Sequence, residues 1–245
     1  MKSKQITSRG NSHYKNLRGL KPGFDGEWIL VEGVKLIKEA IKAGFKPQEL
    51  WSTDDSPDVD CDDCLKYQVS PSMYKAASPT RSGNPPLGVF NQPDLKLASR
   101  EQIRKGRYLL LDRVQEPGNA GALIRAAAAF GFEGVLWVRP CVYPFHHGAI
   151  RASAGSIFHV PQYLVEEKDL EGLNLIGAAA NGDADLTSYS WPEDLILAMG
   201  NEGHGLSNHL TGCLKSTVRI PISPDVESLN VAGAAHILMY HLRRI

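Results

Sequence analysis

The sequence lacks several features that would assign it quickly to a class. Its 245 residues include only four cysteines, too few and too irregularly spaced for a disulfide framework in a chain of this size. No apolar run approaches the ~20 residues that a membrane-spanning helix needs, and the first residues contain no apolar core of a signal peptide. We therefore expect a cytoplasmic protein without a membrane partner.

The chain also lacks a net charge, since 27 basic residues balance 27 acidic ones. The distribution is uneven. Met1–Lys21 contains six basic residues and no acidic one, whereas Asp54–Asp63 contains six aspartates and no basic residue. A basic segment beside a neutral body suits a polyanion such as RNA. The same pattern is also typical of a solvated, partly disordered N-terminus.

Metal-binding patterns are weak. Cys61 and Cys64 form a C-x-x-C, but no second pair of cysteines or histidines follows at zinc-finger spacing. An acidic surface loop is therefore favoured over a metal or redox site. The adjacent His146 and His147 have no third ligand at helical or hairpin spacing, so we expect no metal.

The N-terminal part alternates between strand and helix patterns. An extended run at Trp28–Val31 precedes an amphipathic helix, Val34–Ala43, which Gly44 ends as a C-terminal cap. Further elements are predicted at Glu49–Trp51, Tyr67–Val69, Ser72–Ala77 and Leu87–Phe90. These elements predict a small α/β domain over residues 1–95, and the polar stretch 96–107, with a helix start at Ser99, is interpreted as a linker.

The C-terminal part, residues 108–245, contains short and nearly unbroken apolar runs. Such runs are typical of parallel strands covered on both faces, and helical patterns lie between several of them. The predicted strands are Tyr108–Asp112, Gly134–Val138, Leu173–Ala178, Leu195–Met199 and Thr217–Pro221, and the predicted helices are Ala120–Phe130 and Val231–Arg244. The fold class is therefore α/β.

Two familiar nucleotide-binding patterns are missing from this domain. No G-x-G-x-x-G follows its first strand, and no acidic residue stands about 20 residues later, which argues against a Rossmann dinucleotide site. Leu109–Arg125 contains no G-K-[ST], which argues against a Walker-type phosphate loop.

Three loops concentrate glycine, asparagine and charge after apolar strands, as sites at the carboxyl edge of a parallel sheet do. The first carries Asn119, Gly121 and Arg125, the second spans Gly200–Gly205, and the third spans Ile220–Val231. Taken singly, each has a structural explanation as a helix cap, a surface charge or a tight turn.

Together and in this order, the loops resemble the three motifs of the SpoU–TrmH methyltransferases of the SPOUT superfamily. The matches are N-x-G-x-x-x-R, G-N-E-G-x-G and I-P followed by S-L-N-V, and Arg151–Gly155 resembles the family's R-x-S-x-G stretch. This resemblance covers residues 108–245. More weakly, Ile6–Leu17 and Trp28–Gly33 resemble the ribosomal-protein-like substrate-binding domain of rRNA-modifying members.

The resemblance implies a parallel sheet closed by a trefoil knot, a bound S-adenosyl-L-methionine, and a homodimer that completes the active site. It implies 2′-O-methylation of a ribose in structured RNA, ribosomal rather than transfer RNA. Two alternatives remain. One is a non-catalytic RNA-binding or ribosome-assembly factor that retains the fold, against which the intact Arg125, Glu202 and Asn230 argue. The other is an antibiotic-resistance rRNA methyltransferase, which shares all these motifs.

The resemblance also assigns residues to roles. The implied catalytic residues are Arg125, Asn119, Glu202, Ser228 and Asn230. The implied cofactor-binding residues are Met199, Gly200, Asn201, Gly203, Ile220, Ile222, Ser228 and Leu229. The implied RNA-binding residues are Arg9, Asn11, Lys15, Arg151 and Ser153. Because an arginine stays protonated at neutral pH, we expect Arg125 to clamp a phosphate and stabilise alkoxide charge, which leaves Glu202 as the candidate proton acceptor.

Overall fold

A computed structural model describes residues 3–61 and 63–243 of the chain. Its N-terminal unit is a five-stranded sheet in the order β1-β4-β3-β5-β2, in which β5 runs antiparallel to both of its neighbours. The strands are β1 Lys4–Ile6, β2 Trp28–Glu32, β3 Pro47–Ser52, β4 Leu65–Val69 and β5 Leu87–Asn91. The helices are α1 Ser12–Gly19, α2 Val34–Lys42 and α3 Pro71–Ala77.

The predicted elements of this unit are confirmed to within about two residues. Gly44 follows α2 with a φ of +90°, the left-handed conformation that a helix C-terminus favours in glycine. Most of the basic segment is folded: β1 and α1 lie within it, so the interpretation as a disordered N-terminus is wrong for these residues. Met1 and Lys2 lie outside the described residues.

The C-terminal unit is a seven-stranded sheet in the order β10-β12-β9-β11-β6-β7-β8, with every neighbouring pair parallel. The helices before and around it are α4 Arg100–Ile103, α5 Pro117–Ala129, α6 His147–Ala152, α7 Asn208–Cys213 and α8 Val231–Leu242, with 3₁₀ turns at Ser156–Phe158 and Glu167–Leu170. The strands are β6 Arg107–Asp112, β7 Gly134–Val138, β8 Gln162–Leu164, β9 Leu175–Ala178, β10 Ala184–Asp185, β11 Leu195–Met199 and β12 Ser216–Arg219. The α/β prediction is confirmed.

The central strands explain why apolar runs identified this sheet. Every residue of β7 and β11 is buried, because helices cover both faces of the sheet. The predicted end of the last helix, at Arg244, lies outside the described residues, and α8 ends at Leu242. No helix among the described residues is long and apolar enough to cross a membrane.

A single buried apolar cluster joins the two units. It includes Ile29 and Ile37 of the first unit together with Leu123 and Trp137 of the second. The Nε2 of His159 lies 2.9 Å from a carboxylate oxygen of Glu39 across the same boundary. The division into domains at residues 95 and 108 stays a prediction, but the two units share a core and do not pack as separate bodies.

The acidic segment forms the predicted surface loop: its described aspartates are exposed, and its described residues form no helix or strand between β3 and β4. The cysteine that follows it is different. Cys64 is only 1% exposed, and its thiol donates to the backbone oxygen of Cys61. Burial is the largest cause that raises the pKa of Cys64, to about 12, so the thiol stays protonated. This cysteine is a core residue and not a reactive one.

Candidate active site

The three predicted loops meet at one edge of the C-terminal sheet. The first loop leaves β6 at Asp112, the second leaves β11 at Met199, and the third leaves β12 at Arg219. Because β6 and β11 are parallel neighbours, their carboxyl ends lie side by side, with Met199 paired to Leu111. The topology therefore brings together segments that are far apart in sequence.

The second loop is a tight hairpin. Asn201 and Gly205 exchange two backbone hydrogen bonds of 2.9 Å, and the Asn201 side-chain oxygen accepts from the backbone N–H of Gly203 at 3.0 Å. A side chain at position 200 would place its Cβ 2.2 Å from the backbone carbon of Gly205. Glycine is therefore required at position 200 by the close approach of the two hairpin arms.

A polar cluster connects all three loops. The Glu202 carboxylate accepts hydrogen bonds from the side-chain amide of Asn119 at 3.1 Å and from the backbone N–H of Glu116 at 3.3 Å. The Asn119 side-chain oxygen in turn accepts from the Asn230 amide at 3.3 Å. Asn230 also caps α8, since its oxygen accepts from the N–H of Ala232 at 2.9 Å. Asn230 is therefore both the N-terminal cap of α8 and a member of the polar cluster.

A buried aspartate holds the first two loops together, and the sequence analysis missed it. Asp112 is fully buried and its carboxylate accepts from the backbone N–H of Ser207 at 2.5 Å. The next residue, Arg113, adopts a φ of +56°, and its carbonyl accepts from the Asn201 amide at 3.0 Å. The sequence signal that could have identified Asp112 is an acidic residue at the end of an otherwise apolar strand.

A cavity of about 440 Å³ opens beside this cluster. All eight residues predicted to bind the cofactor line it. The lining residues that were not predicted are Ala178, Ala179, Ala180, Leu206, Thr211, Leu214, Thr217 and Val218, among others. The backbone N–H groups of Ile222 and Leu229 hydrogen-bond to no other described residue, so they remain available to a ligand.

Comparison with known proteins identifies the family. The model of the SpoU rRNA Methylase family matches residues 106–240. The chain belongs to this family.

Individual relatives agree with this assignment. The 23S rRNA (guanosine(2553)-2′-O)-methyltransferase RlmP of Bacillus subtilis is 32% identical over an alignment of 256 positions. The alignment covers 98% of this chain and 99% of that protein. An AdoMet-bound rRNA methyltransferase from Sinorhizobium meliloti superposes with a TM-score of 0.82 at 26% identity, covering 98% of this chain and 97% of the other. The SpoU methyltransferase AviRb from Streptomyces viridochromogenes shares the fold, with a TM-score of 0.83 at 23% identity over 94% of this chain and 96% of the other. The resemblance inferred from the motifs is confirmed.

Arg125 stands apart from the SpoU polar cluster. It is exposed on α5 and hydrogen-bonds to no other described residue. It lies six positions after Asn119 in the helix, which corresponds to about 9 Å along the axis and about 120° around it. Within one chain, the structure joins Asn119, Glu202 and Asn230 and leaves Arg125 outside. Ser228 lines the cavity.

The predicted RNA-binding residues fall into two groups. Arg9, Lys15 and Arg151 are exposed. Asn11 caps α1, where its side-chain oxygen accepts from the N–H of His13 at 2.9 Å. Ser153 is fully buried and donates to the carbonyl of Ile150 at 2.8 Å. Because Ser153 has no exposed surface, we remove it from the predicted RNA contacts and assign it to the packing of α6.

The paired histidines are structural in this SpoU chain. The Nδ1 atom of His146 caps α6 by accepting from the N–H of Gly148 at 3.1 Å, and its ring lies 4.1 Å from that of His147. Burial first, then His146 and Arg151, lower the pKa of His147 to about 4, so this imidazole is neutral at pH 7. The described residues contain no group of three or more His, Cys, Asp or Glu side chains placed to hold a metal ion.

Proposed function

We propose that the chain is a cytoplasmic, S-adenosyl-L-methionine-dependent methyltransferase that methylates a ribose 2′-hydroxyl in ribosomal RNA. The observation that carries this proposal is the position of the cavity, which contains the predicted cofactor residues and opens beside the cluster of Asn119, Glu202 and Asn230. The B. subtilis relative is named for 2′-O-methylation of 23S rRNA, which supports both the reaction and the class of RNA. The S. meliloti protein is named as an AdoMet-bound rRNA methyltransferase, which supports the cofactor and the class of RNA.

The cavity fits the cofactor. Its volume lies in the range of small-molecule sites, and its lining is mainly apolar, with Met199, Ile220 and Leu229 among the residues that would hold the adenosine. The free N–H groups of Ile222 and Leu229 are suited to polar atoms of an adenine or ribose. When bound, the cofactor supplies a methyl group activated by a sulfonium centre.

The remaining chemistry falls to protein side chains. Glu202, fixed by three hydrogen bonds, is the carboxylate placed to receive the proton that leaves the ribose hydroxyl. Asn119 and Asn230 orient this carboxylate and the ribose. Arg125 clamps the neighbouring phosphate and stabilises the negative charge that develops on the ribose oxygen. Ser228 completes this set at the edge of the cavity.

A homodimer explains why Arg125 is exposed. The outer face of α8 presents Ile237 and Tyr240, which are 41% and 55% exposed, and α8 packs beside α5. Leu229, at the cavity, is also exposed. Large apolar side chains grouped in this way are typical of a contact with a partner. The second copy would cover this face and bring Arg125 to a complete active site.

The order of the strands supports the proposed trefoil knot. The last strand, β12, lies inside the sheet between β10 and β9, and not at an edge. The chain then continues along the cavity wall into α8, where Val231, Ala234 and Leu238 line the cavity. In the proposed knot this final segment threads through a loop formed earlier in the chain.

The decisive experiment is methyl transfer by the purified protein from labelled cofactor to rRNA isolated from cells in which the gene is deleted. We expect labelled 2′-O-methylribose at one nucleotide. The methyl group at this nucleotide should be absent from the rRNA of gene-deleted cells and present in the rRNA of intact cells. The position for which the B. subtilis relative is named is the first to examine. Cofactor binding with no transfer to any RNA would contradict the proposal and favour the non-catalytic RNA-binding factor. If methylation of this nucleotide changed only the susceptibility of the cells to an antibiotic, the antibiotic-resistance methyltransferase would be favoured.

A further inference from the structure

A second cleft, of about 420 Å³, lies between the two units of the chain. One wall is formed by the start of α2 with Lys35, and the second by residues 80–84. The third wall is α6, which contributes His147 and Arg151. This cleft shares no lining residue with the cofactor cavity.

Hydrogen bonds hold the single acidic residue that lines the cleft in place. Glu32 accepts from the hydroxyls of Tyr74 at 3.0 Å, Ser78 at 2.6 Å and Thr80 at 2.5 Å, and from the backbone N–H of Asn84 at 3.1 Å. Four donors occupy the carboxylate oxygens and tie this side chain to the wall. The lining therefore sets one carboxylate against the two cations Lys35 and Arg151. The same bonds hold the 78–84 loop in place.

The basic side chains of the cleft are free to bind an anion. Lys35 and Arg151 are both exposed, and neither pairs with a carboxylate of the described residues. Lys35 begins an exposed basic face of α2 that continues with Lys38 and Lys42. Two unpaired cations that face one another across a cleft match the phosphate groups of a polyanion.

The cleft is close to the polar cluster of the active site. The ring of its residue His147 lies 4.1 Å from that of His146, which caps α6. A Cβ at Gly148, the next residue, would lie 2.9 Å from the side chain of Pro117, two residues before Asn119. The first turn of α6 therefore touches the first turn of α5, which carries Asn119.

We propose that this cleft binds the backbone of the substrate RNA beside the target ribose, with Lys35 and Arg151 as contacts to successive phosphates. The inference rests on the proposed function, because it places an RNA strand along the face that leads to Asn119. It adds α2 of the N-terminal unit to the RNA-binding surface and assigns the cleft a substrate class, a phosphodiester chain.

The test compares Lys35→Ala, Arg151→Ala and the double variant with the wild type, using rRNA from gene-deleted cells as the probe. Filter binding at several salt concentrations gives the slope of log affinity against log salt. Each lost phosphate contact reduces this slope by roughly 0.7 to 0.9. We expect each single variant to raise KM for RNA about 3- to 10-fold, with kcat at saturating RNA and affinity for S-adenosylhomocysteine unchanged.

Lys105→Ala is the matched control. Lys105 is exposed and precedes β6, so it lies at the opposite edge of the sheet from the site, and its loss should change neither the slope nor KM. Lys35→Arg retains the charge and should retain most of the affinity.

An unchanged salt slope in the double variant would overturn the assignment of the cleft, even if the wild type methylates rRNA normally. A lower kcat at unchanged KM would also overturn it. Because filter binding does not require methyl transfer, it decides the role of the cleft separately from the proposed function.

Discussion

The side-chain amide of Asn119 donates a 3.1 Å hydrogen bond to the carboxylate of Glu202, which is 83 residues further along the chain. This bond fixes the start of α5 against the 200–205 hairpin. It also holds the candidate proton acceptor in one orientation beside the cofactor cavity. The two residues should therefore act on catalysis as a unit.

We predict strong coupling in a double-mutant cycle on this pair. Asn119→Ala and Glu202→Ala should each lower turnover about 10- to 100-fold, and the double variant should be little worse than the poorer single variant. Glu202→Gln keeps an acceptor oxygen for Asn119 but is not a base, so it should preserve the loop geometry without restoring turnover. Independent, additive losses in single-turnover kinetics would contradict the coupling.

Substitution of Arg125 should lower the rate of methyl transfer without changing the affinity for the cofactor. Arg125→Ala should lower turnover about 10²- to 10³-fold, the scale of one preorganised electrostatic donor, while affinity for S-adenosylhomocysteine stays unchanged because the cavity lining does not include this residue. Arg125→Lys retains the charge but loses the planar fork, and should recover only part of the activity. Calorimetry and single-turnover methylation measure the two effects. Lost cofactor binding, or wild-type turnover, would show that the role is wrong.

Two glycines of the C-terminal unit should respond differently to alanine. Gly200→Ala places a methyl group against the backbone of Gly205 and should weaken S-adenosylhomocysteine binding by at least about tenfold. Gly212→Ala is the control, because its Cβ would meet nothing within 4 Å and Gly212 does not line the cavity. Calorimetric titration of both variants checks the difference, and equal affinities would argue against the steric requirement at position 200.

The dimer prediction concerns the outer face of α8. Ile237→Glu should shift the protein from twice the monomer mass to the monomer in sedimentation, because it places a charge in an apolar contact. Leu65→Glu is the control, since Leu65 is 50% exposed on β4 of the other unit. A wild-type protein that is monomeric and fully active would contradict the homodimer.

His147 should make folding stability depend on pH. Its pKa is about 4 in the folded protein and 6.5 in an unfolded chain, so unfolding takes up a proton between these values and the free energy of unfolding falls as pH falls through this window. His147→Gln should flatten this fall. The contribution of His147 to the slope of the unfolding free energy against pH should be well under ~1.4 kcal/mol per pH unit, the value for one fully coupled proton, because the imidazole is half-buried. Urea unfolding between pH 7 and pH 4 measures it, with His204→Gln as the exposed control.

The apolar runs predicted the sheet well because burial on both faces leaves an unbroken signal. Helices α1 and α6 were missed for a different reason. In α1 only Tyr14 and Leu17 are buried, and α6 has six residues, too few to show a helical period. Short elements of this kind are stabilised by contacts with distant residues, such as the bond from the Tyr14 hydroxyl to the carbonyl of Met73.

The candidate site was predicted in part. The motifs identified the cavity lining, since backbone-lined loops require particular residues at fixed positions. They did not reveal that Ser153 is buried, because a small polar residue is common both at surfaces and inside helix contacts. They also could not show the bond between Asp112 and Ser207, which depends on how two distant strands align.

The position of β12 inside the sheet has a consequence for synthesis of the protein. The walls of the cofactor cavity come from residues between Ala178 and Leu238, and β12 is needed to complete them. Because the N-terminal part of a chain leaves the ribosome first, the N-terminal unit can form while the cavity is still missing its walls. We therefore expect nascent chains to acquire methyl-donor binding only after α8 has left the exit tunnel.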